Sequence, residues 1–225
     1  MSTVKVVDVI SRALTLLKDT STARWTGLEL QNWLNDSYRE IVNLHPDANT
    51  LTGVYTCVAG YRQDIQNTYP NSHRLLEVLS NQGNTSTYRG VRLINRRTLD
   101  DQRPGWYNED SSVNIQLYMY DSRVPKEFLV YPPATVDAAL EVIYVEVPTP
   151  HTLTEAQLLN PATTETIKLD IIYANPMLDY ILYRAYSKDS DNSGSAARAV
   201  AHYQAFVTSL QYKVHSDEQI NPGTA

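Results

Sequence analysis

The residues of this chain that could do chemistry are five histidines, one cysteine, a partial calcium loop and a run of arginines. Asp189-x-Asp191-x-Ser193-Gly194 matches the opening half of an EF-hand loop, in which alternating oxygen ligands converge on a cation and glycine makes the sharp turn. The twelfth position of such a loop closes the cation with a bidentate Glu, and here it is Val200. The segment therefore reads as a polar turn that caps the last helix through Ser193 or Ser195, and calcium is not expected. No two of His45, His73, His151, His202 and His215 stand at the i, i+3 or i+4 spacing of a helical metal site. A lone Cys57 can form neither an intramolecular disulfide nor a cysteine-based zinc site, and it reads as a small buried residue in a strand. Phosphate-loop, dinucleotide, nucleophile-elbow and zinc-helix motifs are all missing from the sequence. No catalytic, cofactor-binding or metal-ligating residue is nominated. Glycosidase carboxylates converge only in space, so a glycan hydrolase stays as the enzymatic alternative.

The arginines are Arg89, Arg92, Arg96, Arg97 and Arg103, five of the nine bases between residues 48 and 150, packed into fifteen positions. Guanidinium forks suit phosphates and carboxylates, so the cluster is a candidate contact with a neighbouring subunit or partner. The plainer reading is a solvated face balanced by Asp100 and Asp101. The whole chain carries a net charge of −6, divided as −1 over residues 1–47, −2 over 48–150 and −3 over 151–225. No segment has the basic excess that grips nucleic acid through its phosphates, which argues against a duplex-binding regulator. Sixteen Tyr stand against 2 Phe and 3 Trp, a balance suited to half-buried sheet faces and subunit contacts. No apolar run approaches the roughly 18–20 residues that span a bilayer, and the N-terminus lacks a signal-peptide pattern. A soluble, unexported chain is expected.

Hydrophobic periodicity places the elements. Val6, Ile10, Ala13, Leu14 and Leu17 share one helical face over residues 4–18. A second helix starts at Thr26 as N-cap, with Glu29 completing a capping box and Trp25 stapling onto Leu30; His45-Pro46 ends it. The period then becomes two. Strands are predicted over Thr52–Val58, Arg62–Ile65, His73–Leu79, Val91–Ile94, Val113–Tyr120, Glu127–Tyr131 (closed by Pro132-Pro133) and Leu140–Val147, with a short helix at Arg97–Gln102. Helix returns where Asn175 can cap Pro176, with Leu178, Ile181, Leu182 and Ala185 on one face. A final helix over about 195–215 carries Ala199, Tyr203, Phe206 and Leu210.

The expected class is α+β. The N- and C-terminal helix pairs would join as a four-helix bundle, with an antiparallel sandwich or barrel-like domain inserted. The expected divisions are an N-terminal helical pair at 1–47, the β domain at 48–150, a linker and C-terminal pair at 151–215, and a flexible tail at 216–225.

Several blocks carry a resemblance. They are Arg24-Trp25-Thr26, Leu34-Asn35-Asp36 with Arg39-Glu40-Ile41-Val42, and His45-Pro46-Asp47-Ala48. Further on come Val130-Tyr131-Pro132-Pro133-Ala134, the run Asp179 to Asp189, and Ala201-His202-Tyr203-Gln204-Ala205-Phe206. In this order they resemble the head-to-tail adaptor (connector) proteins of tailed bacteriophages, of the tail tubular protein A and head-completion type. The resemblance implies a structural virion protein, assembled in the host cytoplasm, that forms a homo-oligomeric ring of typically about twelve copies. It further implies portal protein above, a tail or nozzle protein below, and genomic DNA passing through the lumen without specific binding. It implies no membrane contact.

An acidic chain suits a lumen that DNA must not adhere to. The segment from Tyr212 onward, with Lys213, Val214, His215, Ile220 and Pro222, is expected to order on docking to the portal, as the C-termini of similar adaptors do. The non-enzymatic rival is a tyrosine-rich module that binds carbohydrate or the host surface.

Overall fold

The computed structural model describes residues 3–82, 90–189 and 193–220, without the side chains of Ser193 and residues 212–220. The chain divides into two compact units, one of residues 1–48 with 148–225 and one of residues 49–147. The class is α+β.

In the helical unit, α1 (Val6–Leu17) and α2 (Gly27–Leu44) come first, then the short α4 (Glu155–Leu158), α5 (Ala174–Lys188) and α6 (Ser193–Ile220). α3 (Arg96–Gln102) belongs to the other unit. The expected four-helix bundle is not formed. A bundle needs four helices around one common seam, each packed on two neighbours. Here α5 is the hub: α1, α2 and α6 all pack on it, and α1 meets α2 only sparsely. The described buried positions of α6, Ser195, Ala199, Phe206 and Leu210, make one narrow stripe, wide enough for a single partner. The irregular segment between Pro148 and α5 fills the flanks, adding Leu153, Ile167, Leu169 and Tyr173 to the core of α1, α2 and α5.

Local signals explain the helix ends. Thr26 Oγ1 accepts the Glu29 N–H at 3.2 Å, while both Glu29 oxygens accept from Lys188 Nζ at 2.7 and 2.8 Å. Trp25 and Leu30 are buried in the same core. Asp19 closes the turn after α1, accepting the N–H groups of Ala23, Arg24 and Trp25 at 3.0, 2.8 and 2.9 Å. The start of α5 differs from expectation. Asp170 caps a 3-10 turn (Ile171–Tyr173) that runs into α5, and Asn175 Oδ1 instead accepts from Arg12 Nη2 at 3.1 Å. α6 continues to Ile220.

The second unit holds two sheets. β1 (Thr50–Thr56), β7 (Ala139–Glu146) and β3 (Ser72–Gln82) form one, in the order β1-β7-β3. β2 (Gly60–Asp64), β6 (Glu127–Ala134), β5 (Leu117–Tyr120) and β4 (Arg92–Leu93) form the other, in the order β2-β6-β5-β4. They share a core of Tyr55, Leu75, Val78, Leu140 and Val142 against Tyr118, Phe128 and Val130. They do not close into a barrel. Closure needs a continuous ladder around the sheet. The described residues offer only the isolated bridge Ser80–Gly90 and single bonds such as Val91 N–H to Leu79 O at 3.0 Å.

Two strand expectations also shift. β5 begins at Leu117, because the backbone of Ile115 pairs with the Asn81 side chain, so Val113–Ile115 adds no ladder. β6 runs through Pro132-Pro133 to Ala134, with the Tyr131–Pro132 bond cis.

Candidate functional site

Two groups of polar side chains stand out, one in each unit. In the helical unit, α2 presents Gln31, Asn35 and Tyr38 at spacings of four and three, all buried. Gln31 donates to Leu153 O at 3.2 Å and accepts the Leu153 N–H at 2.9 Å. One turn on, Asn35 donates to His151 O at 3.1 Å and accepts the His151 N–H at 2.8 Å. Each amide thus acts as a one-residue strand partner for an extended segment that has no sheet to join. At the N-terminus of α2, Glu155 Oε1 and Oε2 accept the Gly27 and Leu28 N–H groups at 2.7 and 2.8 Å. That places a carboxylate on the positive end of the helix dipole.

Tyr38 continues the series. Its hydroxyl accepts the Lys168 N–H at 3.1 Å and lies 2.8 Å from His151 Nε2. The hydroxyl proton therefore goes to Nε2, and His151 Nδ1–H donates to Glu165 Oε1. Desolvation by burial lowers the His151 pKa below its ordinary 6.5, and Glu165 pulls against it. Burial raises the Tyr38 pKa well above its ordinary value. Tyrosine, histidine and glutamate in series have the form of a general-base relay. Tyr38 is 0% exposed and His151 2%, so no substrate reaches either ring. The arrangement joins segments of the fold.

The second group lines a cleft of about 690 Å³ in the β unit. Its lining holds Arg62, Arg96, Arg97 and Arg123 together with Asp100, Asp121 and Glu127, and the apolar Met119, Phe128 and Leu129. Asp100 is fixed by Trp106 Nε1 at 2.8 Å and the Tyr107 hydroxyl at 2.7 Å, and those bonds hold its pKa below 3.8. Arg96 in turn reaches Asp100 at 3.4 Å and donates to the Tyr107 hydroxyl at 3.2 Å. Arg123 grips Asp121 with Nε and Nη2, at 3.0 and 2.6 Å, and pushes that carboxyl down to about 2. Arg62 stands 3.7 Å from Glu127. Asn95 caps α3 by accepting the Arg97 N–H at 2.9 Å, leaving the Arg97 guanidinium with no ion pair among the described residues.

The five arginines singled out by sequence divide. Arg96 and Arg97 line the cleft. Arg92 sits exposed on β4, outside it. Arg103 turns to Glu109 at 3.4 Å and to the Tyr131 hydroxyl. Arg89 lies outside the described residues. Arg62 and Arg123, far away in sequence, were missed; only the strand pairing β2-β6-β5 brings them together. Of the C-terminal segment, Tyr212, Lys213, Val214, His215 and Ile220 belong to α6 without described side chains, and Pro222 lies beyond the described residues. Asp189 of the partial calcium loop is engaged by Arg24 and accepts from Ser195 Oγ at 3.3 Å; Asp191 lies outside the described residues.

The described tyrosines are buried or half-buried except Tyr203, which is 37% exposed. Tyr69 stacks on Tyr144 with centroids 4.1 Å apart, and Trp106 on Tyr107 at 4.1 Å. A flat sugar-binding platform needs open rings, and these are packed edge and face against each other. A glycosidase needs a carboxyl kept protonated, and both displaced carboxyls of the cleft, Asp100 and Asp121, are displaced downward.

The described site thus consists of polar side chains that join the fold's own segments and an open cleft of mixed charge. The model of the SU10 adaptor protein family matches residues 4–224, and the chain belongs to that family of bacteriophage head-to-tail adaptors. No curated protein matches it.

Proposed function

We propose that this adaptor acts without catalysis, as a ring of about twelve copies that joins the portal to the tail and passes DNA through its lumen. The observation that carries the reading is the family match over residues 4–224. In this reading the arginine cluster of the β unit supplies contacts to a neighbouring subunit or partner, and the segment from Tyr212 onward docks on the portal. The net charge of −6 favours a lumen that repels the DNA backbone.

The test is assembly without the protein. Particles lacking it should stop as portal-bearing heads without tails, and adding the purified chain should restore tail attachment. Tailed particles formed in its absence would contradict the reading. Deleting residues 213–225 should weaken portal binding while leaving the helical unit folded.

A further inference from the structure

The cleft between α3 and the β5–β6 turn has features that the joining of head to tail does not by itself require. It is concave, it holds more guanidinium than carboxylate, and two of its four basic groups are held in place. Of four arginines, Arg123 is held by Asp121 and Arg96 by Asp100 and Tyr107. Asp100 is itself locked by Trp106 and Tyr107, so Arg96 has little freedom left to lose on binding. Arg62 has only a loose partner at 3.7 Å, and Arg97 has none among the described residues. Both are exposed and retain free N–H donors. The accessible apolar side chains of the lining are exposed Val124 and half-buried Leu129, while Met119 and Phe128 are buried.

We propose that this cleft is a binding site for an acidic peptide segment of a partner polypeptide, in which one Asp or Glu carboxylate meets Arg96 and Arg97 and an adjacent apolar side chain rests on Val124 and Leu129. Four guanidiniums against three carboxylates leave one uncompensated positive charge, which suits a single carboxylate. A nucleic-acid strand fits worse. Its successive phosphates would have to pass Asp100, Asp121 and Glu127 on the same walls, and like charges at that range repel. A volume of about 690 Å³ exceeds what one ion fills and has room for more than one side chain. The planar fork of a guanidinium matches a carboxylate in two parallel bonds, which fixes the orientation of the incoming chain.

The test is a titration of the full chain, followed through its arginine Nε–H NMR resonances. The probes are a capped peptide with one Glu beside one Leu, the same peptide with Gln, inorganic phosphate, and a short single-stranded oligonucleotide. The Glu peptide should shift Arg96 and Arg97 saturably and bind at least about fivefold tighter than the Gln peptide, as expected for a charge-assisted pair. R97E should abolish that difference with Tm unchanged, since the Asn95 cap bonds only the backbone of residue 97; R97Q should reduce it. Equal binding of the Glu and Gln peptides would overturn the proposal, as would tighter binding of phosphate or oligonucleotide, shifts unaffected by R97E, or no shift at millimolar peptide. Failure here leaves the adaptor reading standing, because tail attachment is measured independently.

Discussion

Protonation of His151 is opposed by its surroundings, and that gives the helical unit a pH dependence with a definite sign. Burial lowers its folded pKa below 6.5, so the unfolded chain binds the proton more readily. The neutral ring contributes its full stability above about pH 6.5, and that contribution is lost as pH falls through the depressed value. Melts followed at 222 nm between about pH 7.5 and about pH 5 should show a falling Tm. His151→Gln should flatten that slope while lowering Tm at neutral pH. Asn35→Ala leaves the N–H and C=O of His151 buried and unpaired, and chemical unfolding should show a loss of about 2–4 kcal/mol. Cys57, with its thiol pushed up to about 12 by burial, should resist thiol reagents at neutral pH until the β unit unfolds. As the chain's only cysteine it reports that unfolding cleanly. Residues of this kind divide by how far they can be read in advance. Thr26 is legible because a helix N-cap acts on an N–H three residues away. Gln31, Asn35 and Asn81 are not, because their partners are backbone groups brought to them by tertiary structure. An amide that clamps a distant residue is composed like any surface or turn amide.

At the scale of elements, close packing of β1 on its neighbours sets another expectation. A Cβ at Gly53 would stand 2.3 Å from the Tyr69 hydroxyl and 3.0 Å from the ring carbon that bears it. Gly53→Ala must therefore displace a ring that stacks on Tyr144 and donates to Val54 O at 2.8 Å. A loss of about 1–3 kcal/mol in urea unfolding is expected. Adding Tyr69→Phe should restore part of it, since the nearer of the two clashing atoms is gone. Glu155→Ala removes the carboxylate from the N-terminus of α2, and should cost about 1–2 kcal/mol together with some far-UV helix signal. Helix α2 was readable in its start, its stripe and its end. The alternation from Val113 to Tyr120 misled because period two describes exposure, whereas a strand also needs a neighbour's backbone. Ile115 found a side chain instead. Pro132-Pro133 does not stop β6, whose ladder to β2 skips the proline positions and resumes at Gly60–Ala134.

For the whole molecule, class and family were legible and the packing of helices was not. The resemblance was read from several short blocks in fixed order, a reading independent of how the elements meet. The bundle expectation treated the four long helices as equivalent, although α6 shows only a narrow apolar stripe. It also treated the chain from 151 to the C-terminal helix pair as a linker, where Leu153, Ile167 and Leu169 are core. Arg62 and Arg123 entered the cleft by the same route, through strand pairing that local patterns do not encode.

The central claim is that copies of this chain assemble on a portal. Native mass spectrometry of the purified chain, alone and then mixed with portal from the same virion, tests it most directly. A portal-bound assembly of about twelve copies is expected, either built on the portal or preformed. A monomer whose mass is indifferent to portal would contradict it.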